Sequence, residues 1–260
     1  MLTRILQLTD LHLLSEPAGR LRGVPTRDSF RDVLQAVSRN EKELERIVIT
    51  GDLAHDEQLD TYQQLRELLA DWIPRCRLIP GNHDDRAFMR QVFGELIPGE
   101  SGPVTFSETA GDWRLIGLDS HVKGEVPGRI DADQLEWLSA ELSTHADQPT
   151  LLFLHHPPIP VGVPWLDRIG LQDPGPLVDL ITASPQVRVV SAGHVHHEFS
   201  GRIGQAAFYT TPSSALQFRP EGEEPAYLAT PPGYRVFELD GERYHTEVVR
   251  LPTVDYPPET

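Results

Sequence analysis

The chain has 260 residues, 39 % of them apolar and 24 % charged, with a formal net charge of −16. This length and composition provide enough apolar side chains for a sizeable core and exclude general disorder. The acidic balance argues against nonspecific binding to DNA, RNA or an anionic membrane, and the lone Cys76 rules out an intramolecular disulfide.

In chain order, RILQL (4–8) reads as a buried strand. DSFRDVLQAVSRN (28–40) reads as a helix with Phe30, Val33, Leu34 and Val37 on one face. RIVIT (46–50) is a second strand, DEQLDTYQQLRELLADW (56–72) a second helix and CRLIP (76–80) a third strand. A βαβαβ order of this kind implies parallel strands with helices packed on the sheet. Cys76 then falls inside a strand, as a buried small hydrophobe rather than a reactive thiol. VTFSETAGDWRLIGLD (104–119) reads as a hairpin, and DADQLEWLSAELSTH (131–145) as a helix in which Asp131 and Gln134 resemble a capping box. TLLFL (150–154) and VRVVSA (187–192) are strands flanking a helix over GPLVDLITAS (175–184). Further strand-like segments lie near 206–211, 234–240 and 244–251, and the Pro- and Gly-rich stretches 157–164 and 219–233 read as loops. The expected fold is an α/β two-sheet sandwich with helices on the outside, forming a single domain over 1–260. No run approaches 18 apolar residues, and MLTRILQLTD breaks off at Asp10. Neither a transmembrane helix nor a secretory signal is expected, and the expected location is cytoplasmic.

The reactive side chains cluster just past predicted strand ends. Asp10 and His12 follow the first strand, and Asp52 the second. Asn82, His83 and Asp84 follow the third, His155 follows TLLFL, and His194 and His196 follow VRVVSA. In parallel α/β sheets these ends share one edge, so residues far apart in the chain can converge there. Carboxylate, amide and imidazole groups suit Mn, Fe, Zn or Co. Such a set exceeds the needs of one four- to six-coordinate ion and suits two if one carboxylate bridges. Glycines before Asp52, Asn82 and His194 are expected to allow tight turns. Each fragment alone has a plainer reading as a loop or turn; five in order, each after a strand, point to a metal site.

Together, Asp10-x-His12, Gly51-Asp52, Gly81-Asn82-His83-Asp84, His155 and Gly193-His194-x-His196 resemble the calcineurin-like metallophosphoesterase signature. Within that superfamily the chain is similar to the bacterial class III 3′,5′-cyclic-AMP phosphodiesterases. RILQLTDLHL, GDLAHD, PGNHD, LDS (118–120), LEWL (135–138), LHHPPIP, WLD (165–167), TPSSALQF (211–218) and PGYR (232–235) carry the likeness over nearly the whole length.

The resemblance implies an αββα metallophosphoesterase sandwich. Asp10, His12 and His196 would hold one metal, Asn82, His155 and His194 the other, and Asp52 both. His155 is preferred to His156 because it directly follows the strand. His83 would be the catalytic residue facing the phosphate, with His12, Asn82 and His194 also near the substrate. Residues 212–235 would form a substrate-proximal loop region, with Phe218 either stacking on a base or packing as a core aromatic. The implied reaction opens a cyclic nucleotide, cyclic AMP to 5′-AMP, by attack of a metal-bridging hydroxide, with Fe or Mn as the leading metals and Zn or Co as others.

The partner is a small anionic phosphodiester, with no nucleic acid and no membrane, in a monomer or a homodimer. A permissive phosphodiesterase acting on glycerophosphodiesters shares the same ligands. A noncatalytic scaffold of the same fold would be expected to have lost some of them. Asp84 is expected either to orient His83 or its backbone or to cap the helix that follows, Asp119 to serve a structural hydrogen bond or support the site, and His55, His156 and His197 to lie beside the ligands or on the surface. His121 and His145 carry no motif and are expected to be exposed.

Overall fold

The structure, a computed structural model, describes residues 2–259. The elements run β1 (Thr3–Leu8), α1 (Thr26–Asn40), β2 (Leu44–Thr50), α2 (Leu59–Leu68), β3 (Cys76–Ile79) and α3 (Arg86–Phe93). They continue through β4 (Phe106–Ala110), β5 (Trp113–Gly117), α4 (Ala132–Thr144), β6 (Thr150–Phe153), α5 (Pro164–Asp167), α6 (Gly175–Ala183) and β7 (Val187–Ala192). The last are β8 (Phe199–Ile203), β9 (Ala206–Thr210), β10 (Gln217–Phe218), β11 (Tyr227–Leu228), β12 (Gly233–Asp240) and β13 (Arg243–Arg250). One sheet has the order β13-β12-β1-β2-β3, the other β4-β5-β6-β7-β9-β8. β1, β2 and β3 are mutually parallel, as are β5, β6, β7 and β9.

The period-2 alternation of strand side chains sorts the core into layers. Ile5, Val48, Ile79, Leu115, Leu151, Phe153, Val189 and Phe237 come from both sheets and form one cluster between them. Leu6, Leu8, Ile47 and Ile49 point the other way, onto α1 and α2 through Phe30, Val33, Val37, Tyr62 and Leu65. Leu152, Val190 and Ala192 do the same on the second sheet, with Leu138, Leu142, Leu177 and Ile181 from α4 and α6. The result is the expected αββα sandwich.

A polar knot joins the two sheets beneath the strand ends. Gln7, fully buried in β1, donates to Thr50 Oγ1 (2.9 Å) and the Ala192 carbonyl (3.4 Å). Its Oε1 accepts from Ser191 Oγ (2.6 Å) and Thr211 Oγ1 (2.7 Å). Every donor and acceptor of the amide is used, so this buried polar side chain incurs no unpaired-group penalty.

Several local expectations are corrected. α2 is shorter than 56–72 because Asp56 is used as a turn anchor, accepting from Ser15 N (2.7 Å) and Thr61 Oγ1 (2.7 Å). At the other end Pro74, which lacks an amide hydrogen, lies in a separate single turn over Ile73–Arg75. Asp85, not Asp84, caps α3, accepting from Ala87 N (2.8 Å) and Phe88 N (3.0 Å). Asp131 caps α4, but Gln134 does not return the bond; its amide instead pairs with the backbone N–H and carbonyl of Asp119 (2.7 and 2.8 Å). β8, and the short β10–β11 ribbon reaching into 219–233, are strands that the sequence pattern did not reveal.

Candidate active site

The carboxyl ends of β1, β2, β3, β6 and β7 lie along one edge, and the loops leaving them carry every candidate ligand. Five of these residues have left-handed backbones: Asp10 (φ 54°), His12 (46°), Asp52 (51°), His194 (69°) and His196 (51°). Non-glycine residues adopt this region rarely and at a cost, and such strain gathers at functional sites. The motif glycines are explained mostly by crowding. A Cβ on Gly81 would collide with Asp52, and one on Gly193 with Thr9 Oγ1, although neither glycine has a positive φ. Gly51 alone needs both features: its φ is +92° and a Cβ would lie 2.5 Å from His155 Nδ1. The glycines therefore let loops from different strands interlock, rather than simply permitting turns.

The side chains converge. His12 Nε2 lies 3.1 Å from His196 Nε2 and 3.5 Å from Asp52 Oδ2. His196 Nε2 is 3.2 Å from Asp10 Oδ1. His155 Nε2 is 3.5 Å from Asp52 Oδ1 and 4.0 Å from Asp10 Oδ1. Asp52 thus turns one oxygen toward His12 and the other toward His155. The His194 ring is 5.1 Å from that of His155. Asn82 precedes His83, whose backbone N donates to Asp52 Oδ1 (2.9 Å). The half-buried His83 ring lies 5.1 Å from His12, edge-on, and stacks on His55 at 4.6 Å.

The outer ring nitrogens are anchored. His155 Nδ1 pairs with the Thr50 carbonyl (2.7 Å) and His196 Nδ1 with the Leu216 carbonyl (2.8 Å). A carbonyl can only accept, so each Nδ1 carries a proton, and in the neutral ring Nε2 is left with its lone pair facing inward. His196 is also stacked on Phe218 (4.1 Å, 18°), and Phe218 in turn meets Trp165 edge-on at 4.9 Å. Ser213 Oγ donates to the Asp10 carbonyl (2.7 Å) and Ser214 N to the Thr9 carbonyl (3.1 Å). The 213–218 segment therefore forms a strap behind Asp10 and His196.

His156 has both ring nitrogens engaged, by Ser120 Oγ (2.8 Å) and the Val126 carbonyl (3.0 Å), and lies buried beside the ligands. His197 is buried too, its Nδ1 on the Val195 carbonyl. Asp84 accepts from the backbone N–H groups of Leu53, Ala54 and Gly81 and from the Tyr62 hydroxyl, locking the β2 and β3 loops together. Asp119 binds Arg86 through two bonds (2.6 and 2.7 Å) and accepts from Val104 N and His121 N. That leaves His121 buried, contrary to expectation, while His145 is half-buried.

Electrostatics separate the groups into two classes. Burial alone would raise the carboxyls of Asp10 and Asp52. The imidazoles around them, His196 then His155 for Asp10 and His155 then His12 for Asp52, outweigh it; Asp10 falls to about 2 and Asp52 is also lowered. Burial holds His12 well below the usual imidazole range and His194 down at about 3, so both rings are neutral. Burial would lower His155 as well, but Asp52 and Asp10 lift it to about 9. Three buried polar atoms at the site, Asn82 Oδ1, His155 Nε2 and His194 Nε2, have no hydrogen-bond partner among the described residues. Unpaired buried groups of this kind are costly unless something binds them. The ionised carboxylates, the neutral rings of His12 and His194 and, once a cation displaces its Nε2 proton, His155 together form a donor set for cations. His/Asp groups with donor atoms within 4.8 Å of one another include Asp10–His12–His196 and Asp10–Asp52–His155. The arrangement suits a dinuclear metal site.

The calcineurin-like phosphoesterase family model matches residues 3–198. This chain belongs to that family. The CpdA 3′,5′-cyclic adenosine monophosphate phosphodiesterase of Pseudomonas aeruginosa is 35 % identical over 252 residues, covering 96 % of this chain and 90 % of the relative. A 3′,5′-cyclic-nucleotide phosphodiesterase of Nostoc sp. is 34 % identical over 250 residues, covering 95 % of this chain and 92 % of the relative. Among solved structures, a dimetal phosphatase from Danio rerio superposes with a TM-score of 0.64 at 17 % identity, over 94 % of this chain and 98 % of the other, and shares the fold.

Within this family member, every ligand candidate read from the sequence lies at the same sheet edge. The supporting residues were harder to read. Leu216 acts through its carbonyl, which no side-chain motif reports. Phe218 read as either core or base-stacking; it packs against the core and also buttresses an imidazole. His55 sits in the GDLAHD motif with no spacing rule to assign it.

Proposed function

We propose that the chain is a dinuclear-metal phosphodiesterase that opens 3′,5′-cyclic nucleotides, cyclic AMP to 5′-AMP. The observation that carries this reading is that Asn82 Oδ1, His155 Nε2 and His194 Nε2 are buried without a hydrogen-bond partner among the described residues, on the strand-end loops that also carry the ionised Asp52. Likeness to curated cyclic-nucleotide phosphodiesterases over nearly the full length supports the substrate class. In this reading Asp10, His12 and His196 hold one cation, Asn82, His155 and His194 the other, and Asp52 serves both. Fe and Mn are the leading metals, with Zn and Co suited to the same ligands. When bound, two such cations supply Lewis acidity at phosphorus and lower the pKa of water toward neutrality.

The chain's own contribution is placement and proton delivery. Interlocked loops fix the donors before substrate arrives, so little reorganisation is needed during reaction. Water adds to phosphorus, the P–O3′ bond breaks, and the departing O3′ must gain a proton. An alkoxide is a poor leaving group, so a positioned acid accelerates this step by about 10²–10⁴-fold. In this reading His83 takes that role; it is half-buried, tied to Asp52 through its backbone and stacked on His55. In the same reading His12, Asn82 and His194 would contact the phosphate oxygens.

Steady-state kinetics on metal-reconstituted protein test the proposal, using cyclic AMP, cyclic GMP, glycerophosphodiesters and an aryl phosphomonoester. The expected result is the highest kcat/KM on cyclic nucleotides, with about two metal ions per chain by elemental analysis. Preference for glycerophosphodiesters would shift the substrate assignment, and at most one ion per chain would refute the dinuclear site.

A further inference from the structure

Two of the inward-facing imidazoles lean on backbone carbonyls, but His12 does not. Its Nδ1 lies 3.2 Å from Nδ1 of His55, and no carbonyl or carboxylate takes that place. Two facing nitrogens at this distance can share only one proton. If His12 is to keep its Nε2 lone pair toward Asp52 and His196, the shared proton belongs to His12 Nδ1. His55 Nδ1 then accepts it, and any proton on His55 is on Nε2.

His55 is held firmly enough for this duty. Its backbone N donates to the Leu13 carbonyl (2.8 Å), and Ala54 forms a parallel bridge with Leu13. The amides of Leu53 and Ala54 are pinned by Asp84. The other face of the His55 ring lies against His83, centroids 4.6 Å apart at 26°.

We propose that His55 is a positioning residue that orients His12 toward its cation through Nδ1 and at the same time fixes the plane of His83. This inference rests on the reading of Asp10, His12 and His196 as a cation site. It separates two duties within one side chain: acceptance at Nδ1 governs metal retention, and ring stacking governs the acid.

The test pairs His55→Ala with His55→Asn, because an asparagine amide oxygen can take the place of Nδ1 but offers no ring to stack. Metal-depleted full-length protein is titrated with Mn²⁺, with binding read by calorimetry or by free-Mn²⁺ electron paramagnetic resonance. Loss of such an outer partner weakens metal affinity about 10–100-fold. His55→Ala should therefore weaken one of the two Mn²⁺ sites at least tenfold, while His55→Asn restores most of that affinity. Saturated with Mn²⁺, His55→Asn should still show a lowered kcat with little change in KM, because the His83 stack is gone. A merely structural role would give no rescue by asparagine. Two Mn²⁺ ions held equally by wild type and His55→Ala would overturn the proposal. So would a third Mn²⁺ equivalent in wild type that His55→Ala loses, since His55 would then be a ligand. Fewer than two ions in wild type would overturn the underlying site reading and this inference with it.

Discussion

Asp52 and His83 are joined by one hydrogen bond yet have separable duties, and conservative substitutions can tell them apart. Asparagine tolerates the left-handed backbone of Asp52 and preserves the acceptor for His83 N, so Asp52→Asn removes mainly the negative charge. Metal content should fall below one ion per chain, with activity lost in parallel. His83→Ala should keep both metals by elemental analysis but lower kcat about 100-fold or more on a diester with an alkoxide leaving group. An aryl diester, whose leaving group needs less protonation, should suffer less; equal losses on both would deny His83 the role of acid. At this scale the ligand types and their order were legible in the sequence because they are side chains at strand ends. Adjacent carboxylates were not distinguishable. Asp84 and Asp85 look alike in sequence, and only the turn geometry shows that the second caps α3 while the first gathers amides from two loops. His121 looked exposed because it lies outside any motif, and Asp119 draws it inward by accepting its backbone N–H.

Among the elements, the strand ends are aligned by the Gln7 knot as much as by the ladders. β1 leads to Asp10 and His12, and β7 to His194 and His196, so the bonds from Gln7 to Ser191 and Ala192 set one pair of ligands against the other. Gln7→Met keeps the volume but removes the amide's four hydrogen bonds and leaves buried hydroxyls short of partners. A loss of about 3 kcal/mol in urea unfolding is expected. A loss under 1 kcal/mol would mean the hydroxyls re-pair locally and the knot is dispensable. The long periodic helices and the apolar strands could be read because burial imposes their pattern. β8 escaped because it is an edge strand with Gly201 and Arg202 breaking its apolar run, and β10 and β11 because two-residue strands leave no pattern. The strap over 213–218 resembled a substrate loop, and its work is done through backbone carbonyls and hydroxyls that composition does not reveal.

For the molecule as a whole, the one thiol is among the groups through which pH acts on stability. Burial at the start of β3 pushes Cys76 from the ordinary 9.0 up to about 12. Between those values the unfolded chain has lost this proton while the folded chain keeps it. The unfolded state then binds fewer protons, and stability falls as pH rises. Below pH 8 the contribution is flat; from pH 8 to 10 wild type should lose about 1 kcal/mol relative to Cys76→Ala, as read by urea midpoints at each pH. Parallel pH profiles would show that the thiol is reached by solvent. The expectation of an inert, buried cysteine follows from its place in an apolar strand, and the acidic surface from composition alone. The docking of the second sheet on the first could be named as a class, but its register depends on contacts between residues up to 204 positions apart, such as Thr211 and Gln7.

The left-handed backbones of Asp10, His12, Asp52, His194 and His196 set heat resistance against catalysis. Aspartate accepts this conformation more readily than most side chains, so the cost, on the order of 1–2 kcal/mol each, falls chiefly on His12, His194 and His196. A laboratory selection for thermal survival of metal-free protein would therefore favour glycine or asparagine at these three histidines, and every such winner would be a poorer enzyme. Selection under saturating metal would reverse the preference, because the bound ions favour the folded form only while the ligands are intact.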